Sequence, residues 1–139
     1  MILIDTSAMV DFLRNTPSAM TESVSELCES GVPLGISAYT YMELLSGARD
    51  DLEFVMLKKT LGAYRIYYLP ESLERYSGIA RVYFDLRRKG ITPRSMVDLM
   101  IVFTSIVHDL YLLHNDRDFG NIAPFIPGLK IWPPGTPSG

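Results

Sequence analysis

"MILIDTSAMVDFL", residues Met1–Leu13, is the stretch on which the fold turns. The apolar run through Ile4 ends in Asp5, which reads as a short strand buried on both faces. Thr6 or Ser7 then opens a helix that reaches about Arg14. A strand passing straight into a helix is the first half of a βα unit, and the alternation continues along the chain. "PLGIS", "YRIYYLP", "LYLLH" and "LKIW" read as further strands. Helices are expected over 20–30, from Ser37 or Thr40 through "YMELLSGA", over 50–63, over 71–89, and through "SMVDLMIVFTSIV". "NDRDFGNIAPFIPG" reads as a loop. Apolar strands alternating with helices predict an α/β fold, a single domain whose mostly parallel central sheet carries helices on both faces.

Composition agrees with one packed domain. The chain has 139 residues, 47% of them hydrophobic, enough for a sizeable core. Asp5 interrupts the first apolar run too early for a signal peptide, and the apolar segment around Asp98 is too short to span a bilayer. One cysteine, Cys28, excludes an internal disulfide and fits a reducing cytoplasm. It is expected as a small buried hydrophobe on a helix. With Cys28, His108 and His114 the only soft or imidazole ligands, a structural zinc site is not expected and any metal should be a hard one held by oxygen.

The net charge of −3 argues against a nucleic-acid partner until its distribution is considered. Five of the 13 Lys and Arg residues (Arg81, Arg87, Arg88, Lys89, Arg94) lie between 81 and 94, opposed there only by Asp85. Such a run is either a solvated helix face or a surface for phosphates.

Ligands of open parallel sheets bind beyond the carboxyl ends of the strands. Asp5 ends the first strand; Asp116 and Asp118 follow "LYLLH"; Glu43 and Asp98 lie on helices shortly after loops. Each has a plain structural alternative: Asp5 capping the first helix, Glu43 solvated, Asp116 and Asp118 in turns. Asp98, three residues after Ser95, has the spacing of a capping box. Jointly, however, these acids are placed to meet on one rim, where a divalent cation would relieve their repulsion. Hard Mg²⁺ or Mn²⁺ suits such an all-oxygen set and retains water for attack on phosphorus.

"ILIDTSAMVDFL", "SAYTYMELLSGA", "GITPRSMVDLMIVFTSI", "LYLLHNDRDF" and "IPGLKIW" together resemble the PIN domain, and more narrowly the VapC-type toxins of prokaryotic toxin–antitoxin pairs. The resemblance runs through nearly the whole chain in the right order. The Pro/Gly-rich "PPGTPSG", 133–139, reads as a disordered tail, and the resemblance implies a PIN-like domain over the 1–132 before it. It also implies a cytoplasmic, metal-dependent endoribonuclease, a homodimer, and inhibition by a VapB-type antitoxin. Carried over by position, Asp5, Glu43, Asp98 and Asp116 match the catalytic, metal-binding acids of the family. Asp118 matches a less regular extra acid, Thr6 or Ser7 the hydroxyl beside the first acid, and Asn115 stands beside the fourth. The expected cofactor is Mg²⁺ or Mn²⁺ and the expected RNA contacts are Arg87, Arg88 and Arg94. His114 departs from the family, where Thr is common.

Two other readings differ in class. A phosphoryl-transfer enzyme of another α/β family would want an Asp-x-Asp pair, whereas Asp5 is followed by Thr-Ser. A non-catalytic PIN-like module would bind RNA or protein without needing all four acids.

Overall fold

A computed structural model of the chain describes residues 1–93, 95–115 and 117–133, excluding the side chains at 117 and 118. Among the described residues the strands are β1 (Ile2–Ile4), β2 (Leu34–Ser37), β3 (Arg65–Tyr67), β4 (Tyr111–Leu113) and β5 (Lys130–Ile131). They form one sheet in the order β3-β2-β1-β4-β5, and every pairing is parallel. The helices are α1 (Thr6–Leu13), α2 (Ala19–Glu29), α3 (Ala38–Ser46), α4 (Asp51–Gly62), α5 (Leu73–Arg88), α6 (Met96–Val107) and α7 (Arg117–Ile122). Among the described residues, no helix is long and apolar enough to cross a membrane.

Strand alternation divides the core between the two faces. Ile2, Ile4, Ile36 and Leu113 point to one side, against Ala8 and Met9 of α1, Val24 and Leu27 of α2, and Leu61 of α4. Leu3 and Leu112 point to the other, against Ile79 and Leu86 of α5 and Leu99, Ile101 and Val102 of α6. Because both faces are covered, β1 is buried at every position, which is why it reads as a continuous apolar run.

Helix starts are set by short polar side chains. Asp5, Ser18, Ser37, Asp50, Ser72 and Ser95 are the N-caps of α1 to α6, each accepting from a backbone N–H three residues on. The Ser72 cap starts α5 at Leu73, two residues later than the expected start at Glu71. β3 is shorter than "YRIYYLP" suggests. The segment after β4 is no simple loop: α7 and a 3-10 turn (Ala123–Phe125) form there, anchored by buried Phe119, Ile122 and Ile126. Cys28 also corrects expectation, since it lies exposed on α2. The face of α2 turned to the core is taken by Val24 and Leu27. The tail from 134 lies outside the described residues.

Candidate functional site

β1 is the middle strand, and the chain leaves it towards β2 on one side while β4 lies on the other. That reversal opens a crevice at the carboxyl ends of β1 and β4, the place where parallel sheets hold ligands. A cavity of about 400 Å³ occupies it, with Asp5, Asp11, Glu43, Asp98 and Asn115 in its walls. Thr6, Ser7 and Ser95 line it too. The described lining thus carries four carboxylates, Asp5 and Asp98 from helix starts and Asp11 and Glu43 from within helices, and no cationic side chain.

Asp5 is buried, 2% exposed, and held from several directions. Its Oδ1 accepts from the Ala8 N–H at 2.9 Å, which caps α1. Ser7 Oγ lies 3.0 and 2.9 Å from its two carboxylate oxygens and donates to them. Ser7 Oγ in turn accepts from the Asn115 N–H at 3.3 Å, tying the end of β4 to the first acid. The backbone makes the same link, from the Asp5 N–H to the Leu113 carbonyl at 3.0 Å. Asp5 is therefore both a cap and a wall of the cavity.

Glu43 is exposed on α3, and its reach is disciplined by Thr6. Thr6 Oγ1 donates to Glu43 Oε1 at 2.8 Å and lies 3.0 Å from Thr40 Oγ1. Thr40 is fully buried and its hydroxyl accepts from Ser37 Oγ at 3.2 Å. A chain of hydroxyls thus runs from the α3 cap to the Glu43 carboxylate.

Asp98 completes the capping box that its spacing announces. Its N–H donates to Ser95 Oγ at 3.3 Å, and its Oδ2 accepts from the Ser95 N–H at 3.2 Å. A capping carboxylate stands at the positive end of the α6 dipole, and this one also faces the cavity. Capping and cavity lining coexist here.

Of the predicted site residues, Asp5, Thr6, Ser7, Glu43, Asp98 and Asn115 meet in this cavity. Asp116, Arg94 and the side chain of Asp118 lie outside the described residues. Arg87 and Arg88 are exposed at the end of α5 and do not line the cavity. His114 packs its ring against Phe119, with centroids 5.4 Å apart. Sequence reasoning missed Asp11, whose Oδ2 accepts a hydrogen bond from Asn115 Nδ2. The signal was available: Ser7 and Asp11 are four residues apart, on one face of α1. It also missed Thr40, whose buried hydroxyl no sequence pattern distinguishes from a core Thr.

The donor chemistry of this lining is all oxygen apart from the Asn115 amide, which suits a hard divalent cation and not zinc. Among the described residues no three Asp, Glu, His or Cys side chains are gathered closely enough to hold a metal by themselves. The acid expected to complete the set, Asp116, follows directly after Asn115.

Residues 2–124 match the PIN-domain family. The chain belongs to that family. Among relatives of this PIN domain, Ribonuclease VapC11 of Mycobacterium tuberculosis is 34% identical over 124 residues, covering 88% of this chain and 92% of that protein. Ribonuclease VapC19 of the same species is 36% identical over 132 residues, covering 94% and 98%. Solved structures share the PIN fold at lower identity. VapBC2 from Rickettsia felis, bound to promoter DNA, superposes with a TM-score of 0.70 at 20% identity, covering 94% of this chain and 97% of that one. FitAcB from Neisseria gonorrhoeae gives 0.69 at 21%, covering 98% and 99%.

Proposed function

We propose that this PIN domain is the toxin of a VapBC-type pair, an endoribonuclease that hydrolyses RNA phosphodiester bonds with the help of Mg²⁺ or Mn²⁺. The observation that carries the reading is one cavity, at the switch point of a parallel sheet, walled by Asp5, Glu43 and Asp98. Kinship with VapC ribonucleases along almost the full chain supports the same activity.

Asp5, Glu43, Asp98 and Asp116 would hold the cation. When bound, it supplies an acidified water and a counter-charge for the transferring phosphoryl group. The chain's own groups do the positioning. Ser7 and the α1 amide hold the Asp5 carboxylate to one rotamer, so both oxygens keep fixed directions. Thr6 restrains Glu43, the longest and most mobile of the acids. The Ser95 box keeps Asp98 at the helix end. Asn115 binds Asp11 and Ser7 together, and thereby orients the start of the segment that carries Asp116 and Asp118. Arg87, Arg88 and Arg94 are assigned to RNA phosphates. The partners are RNA, a VapB-type antitoxin and a second copy of the chain, in the cytoplasm.

The test is cleavage of bulk RNA by the purified protein in Mn²⁺ and in EDTA. Asp5→Asn and Asp98→Asn should each abolish cleavage and weaken Mn²⁺ binding while the circular dichroism spectrum persists. Unchanged Mn²⁺ affinity in both variants, by calorimetry, would remove the metal assignment. RNA binding without any Mn²⁺-dependent cleavage by the wild type would favour the non-catalytic module.

A further inference from the structure

The stretch 75–97 contains Arg75, Arg81, Arg87, Arg88, Lys89 and Arg94 against a single acid, Asp85, in a chain of net charge −3. The structure shows what these cations accompany. On the outer face of α5, Phe84 is 39% exposed, and the guanidinium carbons of Arg81 and Arg88 lie 5.3 and 5.5 Å from its ring centroid. One step further on, Lys89 Nζ lies 5.8 Å from the ring centroid of Phe125, which is 44% exposed. Large aromatic rings bordered by cations at a surface are the components of a stacking platform for single-stranded nucleic acid.

A second cavity, of about 330 Å³, lies between Gly90–Thr92 on one side and Asn121 and Ile122 on the other. Its first wall begins beside Lys89 and its second ends beside the turn that carries Phe125. The second wall belongs to α7, whose Phe119 lines the acidic cavity. α7 is thus common to the second cavity and the acidic one.

We propose that Phe84 and Phe125, with Arg81, Arg88 and Lys89, form a binding platform for single-stranded RNA, and that the groove over 90–92 leads the strand to the acidic cavity. The proposal rests on the ribonuclease reading and says where on the surface of this chain the RNA strand is held. Bases stack on the two rings and on guanidinium planes, which is how RNA is held when its bases are splayed out of a duplex. The charge decides against a protein partner as first occupant: cations dominate this face, and α7 borders both its groove and the acidic cavity.

The test measures binding of a mixed-sequence single-stranded oligoribonucleotide to the full chain in EDTA, across a salt series. Replacing Arg88 and Lys89 by Gln should lower affinity and reduce the slope of log K against log salt by about 0.7 per cation. Phe84→Ala and Phe125→Ala should each weaken binding roughly tenfold while leaving that slope in place, and Phe84→Trp should restore it. All four side chains are exposed, so circular dichroism should match the wild type throughout. Unchanged affinity and slope in the quadruple variant would overturn the platform. Loss of self-association by sedimentation with RNA binding intact would also overturn it, making the face a protein interface. Binding in EDTA is read apart from catalysis. A wild type that binds RNA through these residues but never cuts it in Mn²⁺ would overturn the ribonuclease reading and leave the platform standing.

Discussion

Ser7 is the residue through which the end of β4 and the first acid communicate. Its hydroxyl donates to Asp5 and accepts from the Asn115 backbone, so a single side chain aligns two walls of the cavity. Residues that orient metal-binding carboxylates without touching the metal commonly change affinity or activity by about 10–100-fold when removed. Ser7→Ala should therefore weaken Mn²⁺ binding and RNA cleavage by about that factor. Ser7→Thr, which keeps the hydroxyl, should retain most of both. Equal loss in the two variants would mean that side-chain volume, and not the hydroxyl, is what matters at this position. Thr6 plays the parallel part for Glu43, and Thr40 behind it extends the support into the core.

At the scale of elements, the two ends of α6 are fastened differently. The N-terminus has the Ser95–Asp98 box; the C-terminus closes when Asp109 enters the left-handed region at φ 55°. The Leu110 N–H then reaches back to the Ser105 carbonyl at 2.8 Å, as in a Schellman turn. Asp109 also meets Lys130 of β5 at 2.8 Å. The hydrogen bond from Lys130, reinforced by its charge, lowers the Asp109 pKa below the usual carboxylate value. A depressed folded pKa gives stability that is present above the unfolded value and lost as pH falls through the folded one. Asn tolerates the left-handed region but cannot form the ion pair. Wild type should thus be slightly more stable than Asp109→Asn at pH 7. The difference should shrink below about pH 4 and vanish at lower pH, as followed by denaturant melts. A constant difference down to strong acid would show that the ion pair contributes nothing.

The sheet makes its own demand at Gly35 in β2. A Cβ there would stand 2.8 Å from the Arg65 carbonyl oxygen and closer still to the Tyr67 ring. The Arg65 oxygen is β3 backbone, so it cannot give way without disturbing the β2–β3 pairing, and the Tyr67 ring is packed in the core. Gly35→Ala should cost about 1–3 kcal/mol, in the manner of an overpacked core, and lower the urea midpoint with little change of slope. A variant as stable as the wild type would mean that β3 shifts freely at the sheet edge.

Over the whole molecule, the acidic cavity is assembled from β1, α1, α3, α6 and the segment after β4, so a cation bound there ties the fold together. Binding to the native state alone adds roughly 2.7 kcal/mol at a hundredfold excess over the dissociation constant. Mn²⁺ should therefore raise the melting temperature of the wild type. Asp98→Asn should lose most of that gain, although its amide oxygen can still accept from the Ser95 N–H and preserve the cap. Equal Mn²⁺ responses in the two proteins would leave Asp98 as a cap alone.

The order and type of the elements were legible in the sequence because each carries a local cause. β1 and β4 are apolar throughout since helices cover both faces of the sheet, and the starts of α1 to α6 are written in Asp and Ser caps. Asp5 and Asp98 could be singled out for the same reason, since each stands at an element end whose direction the alternation implies, whereas Glu43 lies within α3 and was matched through the family motif. α7 was not legible, because six residues with Gly120 inside carry little helical signal, and what holds the segment is burial of Phe119, Ile122 and Ile126 by distant α-helices. Cys28 was misplaced because composition says how often a thiol is buried and not which side of α2 faces the core. Asp11, Thr40 and the ring partners Phe84 and Phe125 likewise acquire meaning only when elements far apart in the chain come together. Local propensity and polar capping act over a few residues and are fixed by the sequence at that range. Hydrogen bonds between separate elements, and rings that share a surface with cations, depend on chain reversal through the sheet, so the tertiary structure alone decides them.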